Sequence, residues 1–111
     1  MKKKIDNITS EVENCSIYKT MELFQSKWSM WILFELNKKD SARFGELRNS
    51  IPDISNTMLS STLKDLEEKE LIKRIQYNEI PPHVEYLLTD KAKDLKKIFQ
   101  AMSEWGDKYA K

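Results

Sequence analysis

The stretch SNTMLSSTLKDL, from Ser55 to Leu66, decides how the rest of the chain is interpreted. Leu59, Leu63 and Leu66 recur at spacings of four and three, which predicts a helix with one apolar face. Ser55 is a good N-cap for this helix. The other side of its first two turns carries small hydroxyl and amide groups, where a solvated helix normally carries long charged side chains. Such groups compete with the backbone for hydrogen bonds and so disfavour a helix. Their presence on this face therefore suggests a functional role.

Length and composition predict one ordinary globular domain. The 111 residues are 40% hydrophobic and 33% charged, which is typical of a soluble protein with a single core. No apolar run approaches the roughly 20 residues of a membrane span. The lysines near the amino terminus have no apolar stretch behind them, so no secretory signal is predicted. We therefore expect a cytoplasmic protein that does not associate with membranes.

The residue counts also exclude several chemistries. A G-x-G-x-x-G nucleotide loop needs three glycines, and the chain has two. One cysteine excludes an intrachain disulfide, and Cys15 with His83 cannot supply the four ligands of a structural zinc site. No cofactor and no metal are expected, and nothing nominates an enzyme. With a formal net charge of +1, any case for nucleic-acid binding rests on how the charges are arranged.

Hydrophobic spacing predicts the order of the remaining elements. Residues 1–14 are predicted to form a polar N-terminal arm, and residues 15–111 a single domain. Within it, helices are expected at about 16–24, 28–37 and 44–51, before the helix that starts at Ser55. Two alternating stretches around the turn 78–82 predict a β-hairpin, and Thr89 caps a last helix. This order predicts a mainly α protein with a small β-hairpin, a winged helix-turn-helix flanked by N- and C-terminal dimerisation helices.

Short motifs along most of the chain resemble one family of proteins. They are, in order, Cys15, Lys27-Trp28, Arg43-Phe44-Gly45-Glu46-Leu47-Arg48, Ile54-Ser55, Met58-Leu59-Ser60, Leu63, Leu66-Glu67-Glu68, Pro81-Pro82-x-Val84-Glu85-Tyr86, Leu88-Thr89 and Glu104-Trp105-Gly106. Together they resemble the HxlR-type winged-helix transcription regulators, relatives of the MarR group. The resemblance implies a dimeric, cytoplasmic bacterial DNA-binding regulator. Some such regulators respond to oxidants or electrophiles through the cysteine at this position.

The chain departs from the family pattern at several positions where DNA contacts are expected. Family members often carry Pro, Lys, Gln and Arg where this chain has Asn56, Thr57, Ser61 and Thr62. They commonly have Arg at the wing position that His83 occupies here. The changes at Thr57, Thr62 and His83 remove a permanently charged side chain, and therefore bear on how tightly DNA is held.

The charge distribution of the Ser55 helix favours insertion into DNA. Its acidic residues crowd the carboxyl-terminal end, whereas the amino-terminal end carries none and has the positive end of the helix dipole. A recognition helix inserts its amino-terminal residues into the major groove, where Ser and Thr bond either base type and Asn pairs with adenine. The alternative is an ordinary solvent-exposed helix with low helix propensity and no binding role. The predicted DNA-binding residues are Arg43, Arg48, Ser55, Asn56, Thr57, Ser60, Ser61, Lys64, Lys73, Arg74 and His83.

Two functions remain open from the sequence. The leading hypothesis is a sequence-specific dimeric regulator that binds a palindromic operator in double-stranded DNA. The alternative is a winged helix that acts as a protein–protein adaptor, and the small net charge keeps that alternative open.

The last helix carries more apolar residues than one small core is expected to absorb. The predicted interface of a homodimer is Leu95, Ile98, Phe99, Met102 and Trp105. The alternative is that this helix simply closes the core of one subunit. Trp28, Trp31 and Trp105 stand at helical core spacing, so burial is their default expectation.

Cys15 is a predicted redox-sensing residue. It stands at or beside the N-cap of the first helix, where free backbone N–H groups stabilise a thiolate. Its reaction partner would be a small electrophile, a low-molecular-weight thiol or the same cysteine of a second subunit. The alternative is that Cys15 is a small buried hydrophobe.

Overall fold

The computed structural model describes residues 15–24 and 26–110 and confirms the predicted architecture. The predicted arm, residues 1–14, lies outside the described residues. The elements are helices α1 (Ser16–Leu23), α2 (Lys27–Lys38), α3 (Phe44–Ser50) and α4 (Asn56–Glu68), strands β1 (Ile72–Tyr77) and β2 (His83–Leu88), and helices α5 (Asp90–Lys93) and α6 (Lys96–Tyr109). This is a mainly helical winged helix-turn-helix, in which β1, β2 and their connecting turn form the wing.

Side-chain caps explain where three of the helices begin. The Ser26 hydroxyl accepts a hydrogen bond from the Trp28 amide at 3.0 Å, at the start of α2. Ser55 accepts from the Met58 amide at 3.0 Å at the start of α4, as the sequence predicts. Each such bond satisfies one of the amide groups that a helix leaves unpaired at its first turn. The start of the recognition helix is therefore set by its own sequence.

The apolar face of α4 is fixed by the core. Leu59, Leu63 and Leu66 are at most 2% exposed and belong to the main buried cluster. Opposite them in the core lie buried leucines and isoleucines of α2, where Ile32 and Leu33 are 0% exposed. Burying one such side chain stabilises the fold by about 1.5–3 kcal/mol. Because this face cannot rotate outward without that loss, the opposite face of α4 is held toward the surface.

The wing is closed at its base by Thr89. The strands pair antiparallel from Ile72↔Leu88 at the base to Tyr77↔His83 next to the turn. The Thr89 hydroxyl donates to the Glu70 carbonyl at 2.8 Å, which joins the residue after β2 to the residues before β1. The same hydroxyl accepts from the Ala92 amide at 3.4 Å and so caps α5.

A short segment between α2 and α3 pairs with the free edge of β2. The Ala42 amide donates to the Tyr86 carbonyl at 2.9 Å, and the Tyr86 amide donates to the Ala42 carbonyl at 2.8 Å. The sequence predicts only a turn before α3, because no pattern within four residues reveals a partner so far along the chain. The wing is thereby attached to the helical part of the domain.

The last helix differs from the prediction of one continuous helix after Thr89. α5 ends at Lys93, and the Leu95 amide donates to the Ala92 carbonyl at 3.0 Å, three residues back instead of four. Such a tighter turn shifts the helix face. It lets Ala92, Leu95 and Phe99 all enter the core, at 0%, 8% and 8% exposure.

The expectation that all three tryptophans are buried is wrong for Trp105. Trp28 and Trp31 are half-buried against the core, whereas Trp105 is 62% exposed. The reason is geometric, because core residues of α6 end at Phe99 and the later turns leave the subunit core behind. None of the helices in the described ranges combines the length and apolar character that crossing a membrane requires.

Candidate nucleic-acid interface

The outer face of α4 presents the small polar residues singled out from the sequence. Asn56, Thr57, Ser60, Ser61 and Lys64 are all exposed, as is the capping residue before them. The first turn contains no acidic residue. The amino-terminal half of α4 is therefore a polar, uncharged surface of short side chains that allows close approach of another molecule.

Thr62 differs from what the sequence pattern indicates, whereas Met58 lies on the flank of the helix where the pattern places it. Thr62 is only 6% exposed, and its hydroxyl donates to the Met58 carbonyl at 2.7 Å, so it does not belong to the outer face. Met58 is 41% exposed on the flank of the same turn. An apolar side chain there suits the methyl group of thymine. Its position on a helical wheel, next to the polar face, is the sequence signal for this exposure.

Arg48 and Asn56 join α3 to α4. The Arg48 guanidinium donates to Asn56 Oδ1 at 3.3 Å, and both side chains are exposed. Because an amide oxygen has two lone pairs, Asn56 Oδ1 can keep this bond and still accept a second hydrogen bond from another molecule.

Lys64 and Arg74 converge on one cleft between α4 and the wing. The cleft has a volume of about 290 Å³, and Ser60 and Glu67 also contribute to its walls. Lys73 precedes Arg74 on β1, and successive side chains of a strand point to opposite faces. Of these two basic residues only Arg74 therefore shares the cleft with Lys64.

The basic residues around α4 are not engaged in ion pairs with other described residues. Within residues 15–24 and 26–110, the ion pairs are Lys38–Glu35, Lys69–Asp65, His83–Glu79, His83–Glu85 and Lys93–Asp90. The cations outside this set include Arg43, Arg48, Lys64, Lys73 and Arg74. Their charges are available to an anionic partner.

His83 is held inside the wing and not directed outward as a free wing residue. Its ring stacks on Tyr77, with centroids 4.7 Å apart and an interplanar angle of 16°. Nε2 lies 2.9 Å from Glu85 Oε2, and Nδ1 lies 3.7 Å from Glu79 Oε2. Only 14% of the side chain is exposed. A proton on this ring faces two carboxylates, so the structure does not present His83 to a phosphate.

Glu85 receives hydrogen bonds on both carboxylate oxygens. Ser41 Oγ donates to Oε1 at 2.6 Å, and His83 lies against Oε2. The bond from Ser41, followed by that from His83 and a smaller contribution from the charge of Arg43, holds the pKa of Glu85 below its ordinary value. The carboxylate therefore stays ionised and ordered at the junction between the wing and the segment before α3.

The residues predicted for a dimer interface divide into two groups. Leu95 and Phe99 are each 8% exposed and lie in the core of the subunit, so they offer little surface to a second one. Ile98, Met102 and Trp105 are 39%, 46% and 62% exposed and face outward. Other exposed apolar residues of the described chain include Tyr109 on the same helix and Ile17, Tyr18 and Met21 on α1.

Cys15 is the N-cap residue of α1, where the sequence places it. Its carbonyl accepts hydrogen bonds from the amides of Tyr18 at 3.1 Å and Lys19 at 3.2 Å. Its side chain makes no capping bond, and the residue is half-buried. The thiol is thus neither fully exposed nor a core residue.

Similarity to known proteins agrees with this arrangement. The helices, the polar recognition helix and the wing define a helix-turn-helix transcriptional regulator. The chain belongs to the HxlR-like helix-turn-helix family, whose model matches residues 23–111.

Relatives support the same assignment. An HTH-type transcriptional regulator of Halalkalibacterium halodurans, itself uncharacterised, is 45% identical over 89 residues, which cover 80% of this chain and 79% of that protein. A MarR-family transcriptional regulator from Porphyromonas gingivalis superposes with a TM-score of 0.81 at 40% identity, covering 87% of this chain and 94% of the other. The reduced form of the Bacillus subtilis transcriptional regulator YodB gives a TM-score of 0.74 at 34% identity, covering 86% and 93%. Its diamide-treated form gives 0.69 at 34% identity, covering 86% and 94%.

Proposed function

We propose that this protein is a sequence-specific regulator that binds double-stranded DNA and inserts the amino-terminal half of α4 into the major groove. The observation that carries this proposal is the exposed face of Asn56, Thr57, Ser60 and Ser61, which is polar, free of acids and fixed outward by the core. Short hydroxyl and amide groups at a helix amino terminus match the donors and acceptors of base edges. The acids of α4 lie at the other end, away from the phosphates.

Phosphate contacts come from the basic residues around this face. Arg43 is the N-cap residue of α3 and Arg48 lies in its last turn, and Lys64 and Arg74 meet in the cleft beside the wing. Contacts to phosphate fix the register of a protein on the duplex without reading its sequence. The net charge of +1 is compatible with this role, because the cations lie around one face while the acids of α4 lie at its far end.

The regulator acts as a homodimer. Ile98, Met102 and Trp105 leave an apolar stripe on α6 that the subunit does not bury. Contiguous exposed apolar surface of this kind marks an interaction site. A two-fold dimer places two recognition helices about one DNA turn, roughly 34 Å, apart, and so reads a palindromic operator. Such a protein works in the bacterial cytoplasm, where the chromosome lies.

Cys15 makes the regulator responsive to oxidants or electrophiles. Its thiol is at the amino terminus of α1, where the helix dipole favours an anion, and it is not locked in the core. One structural relative, YodB, has been studied in reduced and diamide-treated forms. With one cysteine in the chain, an oxidant such as diamide, which takes up two electrons, gives a mixed disulfide with a small thiol or a disulfide with Cys15 of the second subunit. An electrophile such as a quinone instead forms a covalent adduct with the thiolate.

A salt-titrated gel shift on fragments of the host genome tests DNA binding. A regulator of this kind loses affinity steeply as salt rises, with a log–log slope near −0.9 for each phosphate contacted. Sequencing of the retained fragments then identifies the operator. Absence of binding to any fragment at low salt contradicts the proposal and favours a protein–protein adaptor.

Light scattering at micromolar protein concentration tests the homodimer. The expected mass is twice the 13.2 kDa of one chain. A mass of one chain under these conditions contradicts the dimer.

Treatment with diamide or a quinone tests the role of Cys15. We expect the operator affinity of the wild type to change on treatment and to recover with a reducing agent after diamide. The Cys15→Ser variant should bind DNA as the untreated wild type does, and treatment should leave it unchanged. If treatment leaves the wild type unaffected, or alters the variant equally, Cys15 is not the sensor.

A further inference from the structure

Two side chains hold the carboxylate of Glu85 in the middle of β2. Ser41 Oγ donates to Oε1 at 2.6 Å, and His83 Nε2 lies 2.9 Å from Oε2. Stacking of the His83 ring on Tyr77 at 4.7 Å fixes that ring in turn. The side chains of His83 and Glu85 are only 14% and 24% exposed. We call these three residues, Ser41, His83 and Glu85, the Glu85 cluster.

The Glu85 cluster joins the wing to the segment that presents Arg43. The backbone bridge between Ala42 and Tyr86 is antiparallel, and side chains alternate on either side of it. Ser41 and Arg43 therefore lie on the same face of the sheet as Glu85. Arg43 is close enough for its charge to act on the Glu85 carboxylate. The cluster and the backbone bridge together fix the position of Arg43 relative to β2.

We propose that Glu85 is a positioning residue for DNA binding, which locks β2 to the 41–43 segment so that the wing and Arg43 meet the duplex in a fixed arrangement. This inference rests on the proposed function. It also assigns His83 a task other than phosphate contact, as a support for Glu85. The wing then carries its basic side chains, Lys73 and Arg74, on a strand whose angle to α3 is set by Ser41 and His83.

The charge of Glu85 and its positioning role predict opposite changes in DNA affinity when Glu85 is removed. A carboxylate beside Arg43 weakens the attraction of that arginine for phosphate. If Glu85 were only a charge, its removal would strengthen DNA binding in every variant. If it is a positioning residue, loss of its hydrogen bonds must weaken binding in spite of the favourable change in charge.

The first test compares Glu85→Gln with Glu85→Ala in operator binding. Gln removes the charge but keeps an acceptor for Ser41, whereas Ala removes both. We expect Glu85→Ala to bind roughly tenfold more weakly in about 0.1 M salt, which is the electrostatic contribution of one phosphate contact. Glu85→Gln should bind at least as tightly as the wild type. Unchanged or tighter binding by Glu85→Ala overturns the proposal, and so does a Gln variant that is weakened as much as the Ala variant.

The second test is independent of DNA. Amide hydrogen exchange at Ala42 and Tyr86 reports the backbone bridge that the cluster supports, and local opening of it raises the exchange rate. We expect faster exchange at both amides in Glu85→Ala, with much smaller changes in melting temperature and in the exchange of α2 and α4. Glu79→Ala is the matched control, because Glu79 is also a wing carboxylate beside His83 but is 66% exposed and 3.7 Å away. It should leave exchange at both amides as in the wild type.

The two readouts separate the possible failures. Unchanged exchange in Glu85→Ala shows that the cluster does not hold the wing, whatever the DNA result. Faster exchange with undiminished operator binding shows that wing position does not matter for DNA, and also overturns the inference. A wild type that binds no DNA contradicts the proposed function instead, and in that case exchange alone decides whether the cluster orders the wing.

Discussion

The outer faces of α4 and α6 differ in the size and polarity of what they expose. Exposed residues of α4 include Thr57, Ser60 and Ser61, whereas those of α6 include Met102 and Trp105. Both helices bury their other face in the same core, so the difference does not come from folding. Short polar groups allow hydrogen bonding at close range, and large apolar groups gain most from exclusion of water. The comparison teaches that one small domain can prepare separate surfaces for two kinds of partner.

The largest effect is expected from a charge on the α6 stripe. Trp105→Glu should give a monomer in light scattering, because dimer formation would bury an unpaired carboxylate. Without a linked second subunit, operator affinity should fall by about 10²- to 10⁴-fold. The gel shift and the mass are measured on the same preparation.

Gln100→Glu is the matched control on α6. Residue 100 is exposed and lies on the side of the helix opposite Trp105, at about 100° per residue. The Gln100→Glu variant carries the same added charge as Trp105→Glu and should remain dimeric. If both variants become monomeric, net charge and not the apolar stripe governs association.

Truncation on the α4 face should change which bases are preferred. Thr57→Ala and Ser61→Ala should each cost on the order of 1–3 kcal/mol at one base pair and relax preference there. Selection from randomised operators measures this. Ser103→Ala, which removes the same hydroxyl from the exposed surface of α6, should have no effect. Unaltered preference in both α4 variants would mean that α4 does not read bases.

A smaller and sequence-independent effect is expected in the cleft between α4 and the wing. Lys64→Ala and Arg74→Ala should weaken binding to all sequences alike and reduce the log–log salt slope by about 0.9 each. Lys73→Ala serves as the neighbour that points to the other face of the wing. The log–log salt slope of Lys73→Ala should change less than that of Arg74→Ala. Equal changes in the two variants would show that the cleft has no special role.

The smallest effect is expected in the pH dependence of stability. Since the pKa of Glu85 is lowered in the folded state, mainly by the hydrogen bond from Ser41, its ionised form stabilises the fold above the ordinary carboxyl pKa. This stabilisation is lost as pH falls through the lowered pKa. Ser41→Ala should therefore be less stable than the wild type near neutral pH, and the difference should shrink in acid. Urea unfolding at a series of pH values measures it, and a difference that grows in acid contradicts the assignment.

Local signals predicted most of the fold. The N-caps Ser55 and Thr89 are read directly from the sequence, because a cap bonds amides only two or three residues away. The apolar spacing of Leu59, Leu63 and Leu66 gives the buried face of α4 without knowledge of what covers it. The exposed polar face follows by elimination, so the sequence alone indicates the proposed base-reading residues.

Distant contacts could not be predicted in the same way. Ser41 and Glu85 are separated by 44 positions in the chain, and nothing in either neighbourhood indicates the other. The enclosure of His83 depends on its stacking on Tyr77, which requires the particular register of β1 and β2, and the sequence predicts the hairpin without fixing that register. The exposure of Trp105 was missed because spacing shows which residues share a helix face, but not how far along the helix the core extends. The α5–α6 turn was missed because no glycine or proline marks it.

The bond between Thr89 and the Glu70 carbonyl has a consequence for how the wing can diversify. Two residues 19 positions apart are held at 2.8 Å, so the two strands are closed at the end next to α4 and α5, while the Ala42–Tyr86 bridge holds the edge of β2. Lengthening the turn at its far end changes only the entropy of a loop that is already closed, at about 0.6 kcal/mol per doubling of its length. Evolution and protein engineers alike can therefore exchange the tip of the wing while the recognition helix keeps its place.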